Sequence, residues 1–171
     1  MKNINELIGI IKGISFDGVI NDREIEKLHS WVSKNRNLAI NTKDVSLIKI
    51  VASVLADGVI TTEERELLLL NCKNYRETST GNVALYELNG IIEGIICDDV
   101  VNEAEIRRLK TWMSENGELV RDSESTARLC EIIDNVIADD VVTEEEQNIL
   151  LKLLSERIND SKLRTKVEYL E

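Results

Sequence analysis

The sequence contains no proline, only eight glycines among 171 residues, and only six aromatic side chains. The lack of proline and the scarcity of glycine favour helices and count against a β-sandwich or a disordered tail. No apolar run reaches membrane-spanning length, and no signal-peptide cleavage pattern follows the apolar stretch at residues 7–14, so we expect no membrane insertion. The sequence therefore predicts an all-α chain, and its 43% hydrophobic content is sufficient for a buried core.

The three cysteines, Cys72, Cys97 and Cys130, are odd in number and far apart, without the spacing of a metal site. They are typical of small core residues in a reducing compartment, which predicts a cytoplasmic location. No serine or cysteine has a local base pattern, and no glycine-rich loop could hold a phosphate. We expect the single histidine, His29, at the surface or half-buried. The sequence therefore predicts a protein that is not an enzyme.

Acidic residues outnumber basic residues only in the second half of the chain. Residues 1–81 contain 11 Lys+Arg and 11 Asp+Glu, whereas residues 82–171 contain 10 and 21, so the second half carries the whole net charge of −11. Nucleic-acid binding needs a basic face, and base stacking needs aromatic side chains. The chain has neither, so we expect no direct nucleic-acid binding and instead a protein partner with a basic surface.

An internal repeat organises the sequence. The pattern Asp-Gly/Asp-Val-Ile/Val recurs at residues 17–20, 57–60, 98–101 and 139–142, and a glutamate follows each leading aspartate by seven residues. The two halves also match each other at an offset of 81 residues. Because apolar residues at helical spacing flank the segments, we predict four repeats of about 41 residues. They form duplicated pairs of helix–loop–helix units related by a pseudo-two-fold axis.

This repeat predicts eight helices and a short ninth helix at residues 162–170. The chain divides into two halves, residues 1–80 and 81–171, with a polar joint at 78–82.

Two further patterns concern packing between these helices. Gly-x-x-x-Gly pairs at Gly9/Gly13 and Gly90/Gly94 would let the first helix of each half approach the other closely. Trp31 and Trp112 occupy equivalent positions, and we expect both to be core anchors.

The residues that follow each loop predict a helix start. A cap residue is followed three positions later by glutamate, the capping box in which both side chains satisfy free backbone N–H groups. The four pairs are Asn21/Glu24, Thr61/Glu64, Asn102/Glu105 and Thr143/Glu146. The residue that ends the preceding helix often has a positive φ. In the four repeats this residue is Gly18, Gly58, Asp99 and Asp140.

The loops mimic the last eight residues of a calcium-binding EF-hand loop, but apolar residues occupy several of its earlier ligand positions. Standard calcium sites are therefore not predicted. If paired units bring their loops together, four aspartates of the second half converge: Asp98, Asp99, Asp139 and Asp140. Such a cluster could hold a divalent cation weakly or form a solvated acidic surface. This weak cation site is the only cofactor hypothesis that the sequence raises.

The acidic second half is also the predicted partner-binding region. The set adds the glutamates at the two helix starts and comprises Asp98, Asp99, Glu103, Asp139, Asp140, Glu144 and Glu145. A partner that neutralises charge is expected to bind here before it binds the neutral first half.

The first half contains a recurring pattern in which a helix is followed by Asp-Gly-x-Ile, and a glutamate stands four residues after the isoleucine. This pattern resembles that of the TerB-like helical domains of tellurite resistance. The pattern is also similar to the helical segment that precedes BRCT domains in some bacterial proteins. The matching residues are Asp17, Gly18, Ile20, Glu24 and Trp31, followed by Asp57, Gly58, Ile60 and Glu64. The second half departs by having aspartate for glycine and valine for isoleucine. The resemblance implies a compact all-α module of bacterial stress-response and phage-conflict systems, with metal binding through acidic residues.

Two functions are open at this point. One is a non-enzymatic TerB-like interaction module of a stress-response or phage-conflict system, weakly responsive to metal. The other is an acidic inhibitor from a phage or mobile element, whose C-terminal half presents carboxylates in place of nucleic-acid phosphates to a basic protein. Helix capping already explains many of the acids and favours the first, whereas the asymmetric charge favours the second. We rank the interaction module first.

Overall fold

The computed structural model describes residues 3–35, 42–75, 81–117 and 124–168. These residues form eight α-helices and no strand, which confirms the all-α prediction. A short 3-10 helix, Leu55–Asp57, extends the third α-helix. The helices are α1 (Ile4–Ser15), α2 (Asp22–Lys34), α3 (Thr42–Val54), α4 (Thr62–Tyr75), α5 (Gly81–Ile96), α6 (Glu103–Glu115), α7 (Glu124–Ile137) and α8 (Glu144–Glu168).

The predicted short ninth helix is wrong as a separate element. Helix α8 continues without a break through Glu168, because no glycine or proline interrupts residues 144–168. In the predicted polar joint, residues 78–80 lie outside the described residues, and α5 already begins at Gly81. The superposition of the two halves stays a prediction, although helices α1–α4 and α5–α8 follow one another in corresponding order.

The buried apolar side chains form two clusters. One contains Leu7, Ile11, Trp31 and further residues of α1–α4, and the other contains residues of α5–α8 such as Trp112. Both tryptophans are buried, which confirms that they are core anchors. Each half of the chain therefore supplies most of its own core.

Helices α1 and α5 join the two clusters by a close parallel contact. A β-carbon placed on Gly9 would lie 2.0 Å from the Glu87 carbonyl oxygen, and one placed on Gly90 would lie 2.1 Å from that of Glu6. The corresponding distances to the opposite helix backbone are 2.3 Å at Gly13 and 2.7 Å at Gly94. Only glycine permits this approach. The predicted role of the two Gly-x-x-x-Gly pairs is confirmed, and the parallel arrangement places the C-terminal ends of α1 and α5 together.

Candidate functional site

Each of the four repeated loops has the same internal geometry. The leading aspartate accepts a hydrogen bond through Oδ1 from the valine N–H two residues later, at 3.0 to 3.1 Å in all four loops. The residue between them has positive φ: 83° at Gly18, 77° at Gly58, 63° at Asp99 and 60° at Asp140. The left-handed conformation expected at these positions is therefore confirmed.

The helix after each loop begins with a capping box, as predicted. In the first copy the Glu24 N–H donates to Asn21 Oδ1 at 3.1 Å, and the Asn21 N–H donates to Glu24 Oε2 at 2.7 Å. The same reciprocal pair joins Thr61 and Glu64, Asn102 and Glu105, and Thr143 and Glu146.

Side-chain contacts connect the four loops at one end of the molecule. The Arg107 guanidinium of α6 donates to the Asp140 carbonyl at 3.3 Å. A β-carbon placed on Gly18 would lie 3.2 Å from a guanidinium nitrogen of Arg65, in the first turn of α4. We call residues 17–20 and 98–101 the inner loops, residues 57–60 and 139–142 the outer loops, and all four together the loop face.

The two inner loops are bridged by a reciprocal pair of hydrogen bonds. Asn21 Nδ2 donates to Asp98 Oδ2 at 2.9 Å, and Asn102 Nδ2 donates to Asp17 Oδ2 at 3.1 Å. Each asparagine therefore caps its own helix with Oδ1 and holds the opposite loop with its amide nitrogen. Arg23 adds a third bridge by donating to Asp99 Oδ2 at 2.9 Å.

The capping glutamates of the inner loops are buried beneath this bridge. Glu24 and Glu105 are almost completely inaccessible to solvent, and Oε1 of Glu24 has no hydrogen-bond partner. Burial raises the pKa of Glu24 to about 7 and that of Glu105 to about 8. The nearby carboxylates Asp17 and Asp98 raise both pKa values further, against the opposing effect of the backbone hydrogen bonds.

One valine of each loop is exposed to solvent. Their exposed fractions lie between 57% and 68%, at Val19, Val59, Val100 and Val141. The next residue turns inward in every case: Val101 is buried, and Ile20, Ile60 and Val142 pack against the cores. The loop face therefore presents one aliphatic side chain per repeat.

The predicted partner-binding residues all lie in the second-half loops or in the helix turns that follow them. Asp98 holds Asn21 and Val100, Asp99 pairs with Arg23, and Asp139 accepts the Val141 N–H. Asp140 lies 4.0 Å from the Arg107 guanidinium, which also pairs with Glu103 at 2.8 Å. Glu144 and Glu145 are exposed in the first turn of α8.

Metal binding by Asp98, Asp99, Asp139 and Asp140 stays a prediction. Within the described part of the chain, no three histidine, cysteine, aspartate or glutamate side chains are grouped so that they could hold a metal ion. The four aspartates instead accept hydrogen bonds within and between the loops or pair with Arg23 and Arg107.

Thiol chemistry has little support in this structure. Cys72, Cys97 and Cys130 are free cysteines, and burial raises the pKa of Cys72 and of Cys97 to about 12. Because the nucleophile is the thiolate, neither of these two thiols is activated near neutral pH. His29 is exposed, as expected for a surface histidine. None of the described helices combines the length and the apolar character that a membrane span requires.

The sequence did not reveal two features of the loop face. The first is the bridge between Asn21, Asn102 and the opposite aspartates, which was hidden because both asparagines were already explained as caps. Its signal is the alternation of the cap residue, which is asparagine in the inner loops and threonine in the outer loops. The second is the exposed valine of each loop. Comparison with known proteins gave no matching family model, curated protein or solved structure.

Proposed function

We propose that the chain is a non-enzymatic interaction module that binds a basic protein surface through the loop face. The observation that carries this proposal is the presence of aspartate at two left-handed positions. Gly18 and Gly58 fill the equivalent positions of the first half at little steric cost, whereas an L-residue there is less favourable. Asp99 and Asp140 therefore add charge at positions where glycine would serve the backbone better.

The side chains of these two aspartates support a binding role. The exposed fractions of these side chains are 82% for Asp99 and 92% for Asp140, and those of their arginine partners are 62% for Arg23 and 39% for Arg107. Exposed ion pairs of this kind contribute only about 0–1 kcal/mol to stability. Folding alone gives little reason for the two carboxylates, whereas a cationic partner would use them directly.

This proposal is compatible with the TerB-like resemblance and with a role in a stress-response or phage-conflict system. The second candidate function is an acidic inhibitor that imitates the charge of nucleic acid. The observation in its favour is the charge asymmetry, since only the second half has an excess of acidic residues. Both candidates use the same carboxylates. They differ in whether charge alone is sufficient for binding.

The test compares two variants that lose the same number of negative charges. One replaces Asp98, Asp99, Asp139 and Asp140 by asparagine. The control replaces four exposed acids on the helix bodies of the second half by their amides, at Glu115, Glu131, Glu156 and Asp160. Binding to immobilised polylysine is measured at several salt concentrations.

We expect the loop-face variant to bind at least about tenfold more weakly, a difference of about 1.4 kcal/mol. The control should change less than about threefold, and wild-type affinity should fall as salt rises. Equal losses in both variants would show that only total charge matters, and the loop face would not be the binding site.

A further inference from the structure

The four exposed valines are the least expected feature of the loop face. Valine is among the residue types most often buried, yet each repeat presents one with more than half of its surface accessible. The aspartate hydrogen bond to the valine N–H fixes the backbone of all four loops in the same way. Because the neighbouring residue points into the core, the loop holds the valine outward.

Carboxylates surround this row of aliphatic side chains. Beside Val100 and Val141 lie Asp99 and Asp140, and the helix turns that follow add Glu103 and Glu144, all of them exposed. Val19 and Val59 are preceded by the exposed Asp17 and Asp57. The surface that a partner meets is therefore apolar along the row, and the exposed carboxylates around it outnumber the two arginines, Arg23 and Arg107, that pair with some of them.

We propose that the loop face binds a cationic amphipathic helix. Its aliphatic side chains contact the four valines, and its lysine or arginine side chains pair with the surrounding carboxylates. This inference rests on the proposed function and specifies the chemistry of the partner. Imitation of nucleic acid would need the carboxylates alone, so the valines favour an amphipathic partner over a purely charged one.

The order of the loops along the face suits an elongated partner such as a helix. Contacts between neighbouring units give the order of the loops along the face as 57–60, 17–20, 98–101 and 139–142. Arg65, which follows the first of these loops, lies beside Gly18, Asn21 donates to Asp98, and Arg107 donates to the Asp140 carbonyl. In a helix with a rise of 1.5 Å per residue, positions seven residues apart are separated by about 10.5 Å. A helix with an aliphatic residue at every second turn therefore presents a line of apolar side chains along one side, which is the arrangement that the line of loops would contact.

The experiment measures the binding of three synthetic peptides by calorimetry or fluorescence anisotropy. The first is a helix-forming peptide of lysine and leucine, about 22 residues long, with leucine on one face; this length covers three intervals of seven residues. The second has the same composition in an order that destroys the apolar face. The third keeps the leucine face and replaces lysine by glutamine. We expect the first to bind at least about tenfold more tightly than either of the others.

Two variants locate the binding to the valines. One replaces Val19, Val59, Val100 and Val141 by serine. The matched control replaces four exposed apolar residues on the helix bodies by serine, at Leu67, Leu70, Tyr86 and Ile149. The loop-face variant should lose at least about tenfold in affinity for the amphipathic peptide, whereas the control should lose less than about threefold. Thermal melting of each variant verifies that it is folded before binding is measured.

The outcomes separate this inference from the proposed function. If the scrambled peptide binds as tightly as the amphipathic one and the valine variant is unaffected, charge alone drives binding. In that case the amphipathic partner is wrong and the acidic binding face stands. If neither cationic peptide binds the wild-type protein, or if the four-asparagine variant binds both unchanged, the proposed function fails as well.

Discussion

The inner and outer loops share one sequence pattern but differ in what surrounds them. All four contain the same aspartate–valine hydrogen bond and the same capping box. In the inner loops the capping glutamates, Glu24 and Glu105, are buried. In the outer loops the equivalent Glu64 and Glu146 are partly exposed. The same motif therefore forms the joint between the halves at the centre of the face and a solvated edge on either side.

This difference shows how a repeated motif acquires two roles from small changes. Threonine and asparagine are both good N-caps, but only asparagine has an additional amide group to donate. The chain uses asparagine where two loops meet and threonine where they do not. The close approach of α1 and α5 creates the meeting point, so the glycines of these helices determine which loops are inner loops.

The largest effect should follow from separating the inner loops. Replacing Gly9 by alanine places a β-carbon 2.0 Å from the Glu87 carbonyl oxygen. To relieve this clash, one of the two packed helix backbones would have to shift, which destabilises the fold. We expect a loss of at least about 3 kcal/mol in the free energy of unfolding, despite the better helix propensity of alanine. Chemical denaturation measures it.

Gly58 provides the control for this substitution. A β-carbon there meets nothing within 4 Å, so Gly58→Ala tests only the cost of the left-handed conformation, about 1–2 kcal/mol. A smaller loss for Gly9→Ala than for Gly58→Ala would contradict the close packing of α1 against α5. If Gly9→Ala fails to fold, the milder contact at Gly94, 2.7 Å from the Ile10 carbonyl oxygen, gives a second site for the same test.

A second effect concerns pH, because the inner glutamates are buried. Unfolded glutamate titrates near 4.5, whereas Glu24 and Glu105 titrate at about 7 and about 8 in the folded protein. Between these values the folded state holds protons that the unfolded state has lost, so stability decreases as pH rises. We therefore expect the free energy of unfolding to decrease progressively from pH 5 to pH 8 because of these two groups.

The variants Glu24→Gln and Glu105→Gln test the source of this pH dependence. Glutamine preserves the capping box but does not titrate. The double variant should therefore show a flatter dependence of stability on pH than the wild type, with each single variant between them. A wild-type slope that persists in the double variant would mean that other groups cause it.

Much of this architecture follows from local patterns in the sequence. Helical spacing of apolar residues, the four capping boxes and the left-handed positions depend on neighbours within a few residues, and all are confirmed. The approach of α1 to α5 was also predictable, because Gly9, Gly13, Gly90 and Gly94 have no other evident purpose in helices. The predicted end of the last helix was wrong, since no residue in it stops a helix.

The arrangement of the loop face could not be derived in the same way. Whether Asn21 reaches Asp98 depends on atoms 77 residues apart in the chain, and a cap assignment already explains the asparagine. Burial of Glu24 and Glu105 likewise depends on the opposite half. Exposure of the valines is a tertiary property too, because Val19 and the inward-facing Ile20 are both aliphatic in sequence.

A third prediction exchanges the cap residues between inner and outer loops. Asn102→Thr keeps an N-cap but removes the hydrogen bond to Asp17, so we expect a loss of about 1–2 kcal/mol. Thr143→Asn retains its cap and has no loop to bridge, and it should change stability by less than about 0.5 kcal/mol. Urea unfolding of both variants measures the difference. Equal effects would show that the cross-loop hydrogen bond adds nothing.

The smallest effect should come from removing an outer cap altogether. In Thr61→Ala and Thr143→Ala the N–H groups of Glu64 and Glu146 lose the hydroxyl that accepts them at 3.2 Å, and water replaces it. Because these sites are exposed, we expect losses of about 0.5–1 kcal/mol, at the lower end of the range for N-caps. Asn21→Ala should cost more, since it removes a cap and the bridge to Asp98 together. If thermal melting shows the same loss of stability for Thr61→Ala and Asn21→Ala, the bridge to Asp98 adds no stability to the inner loops.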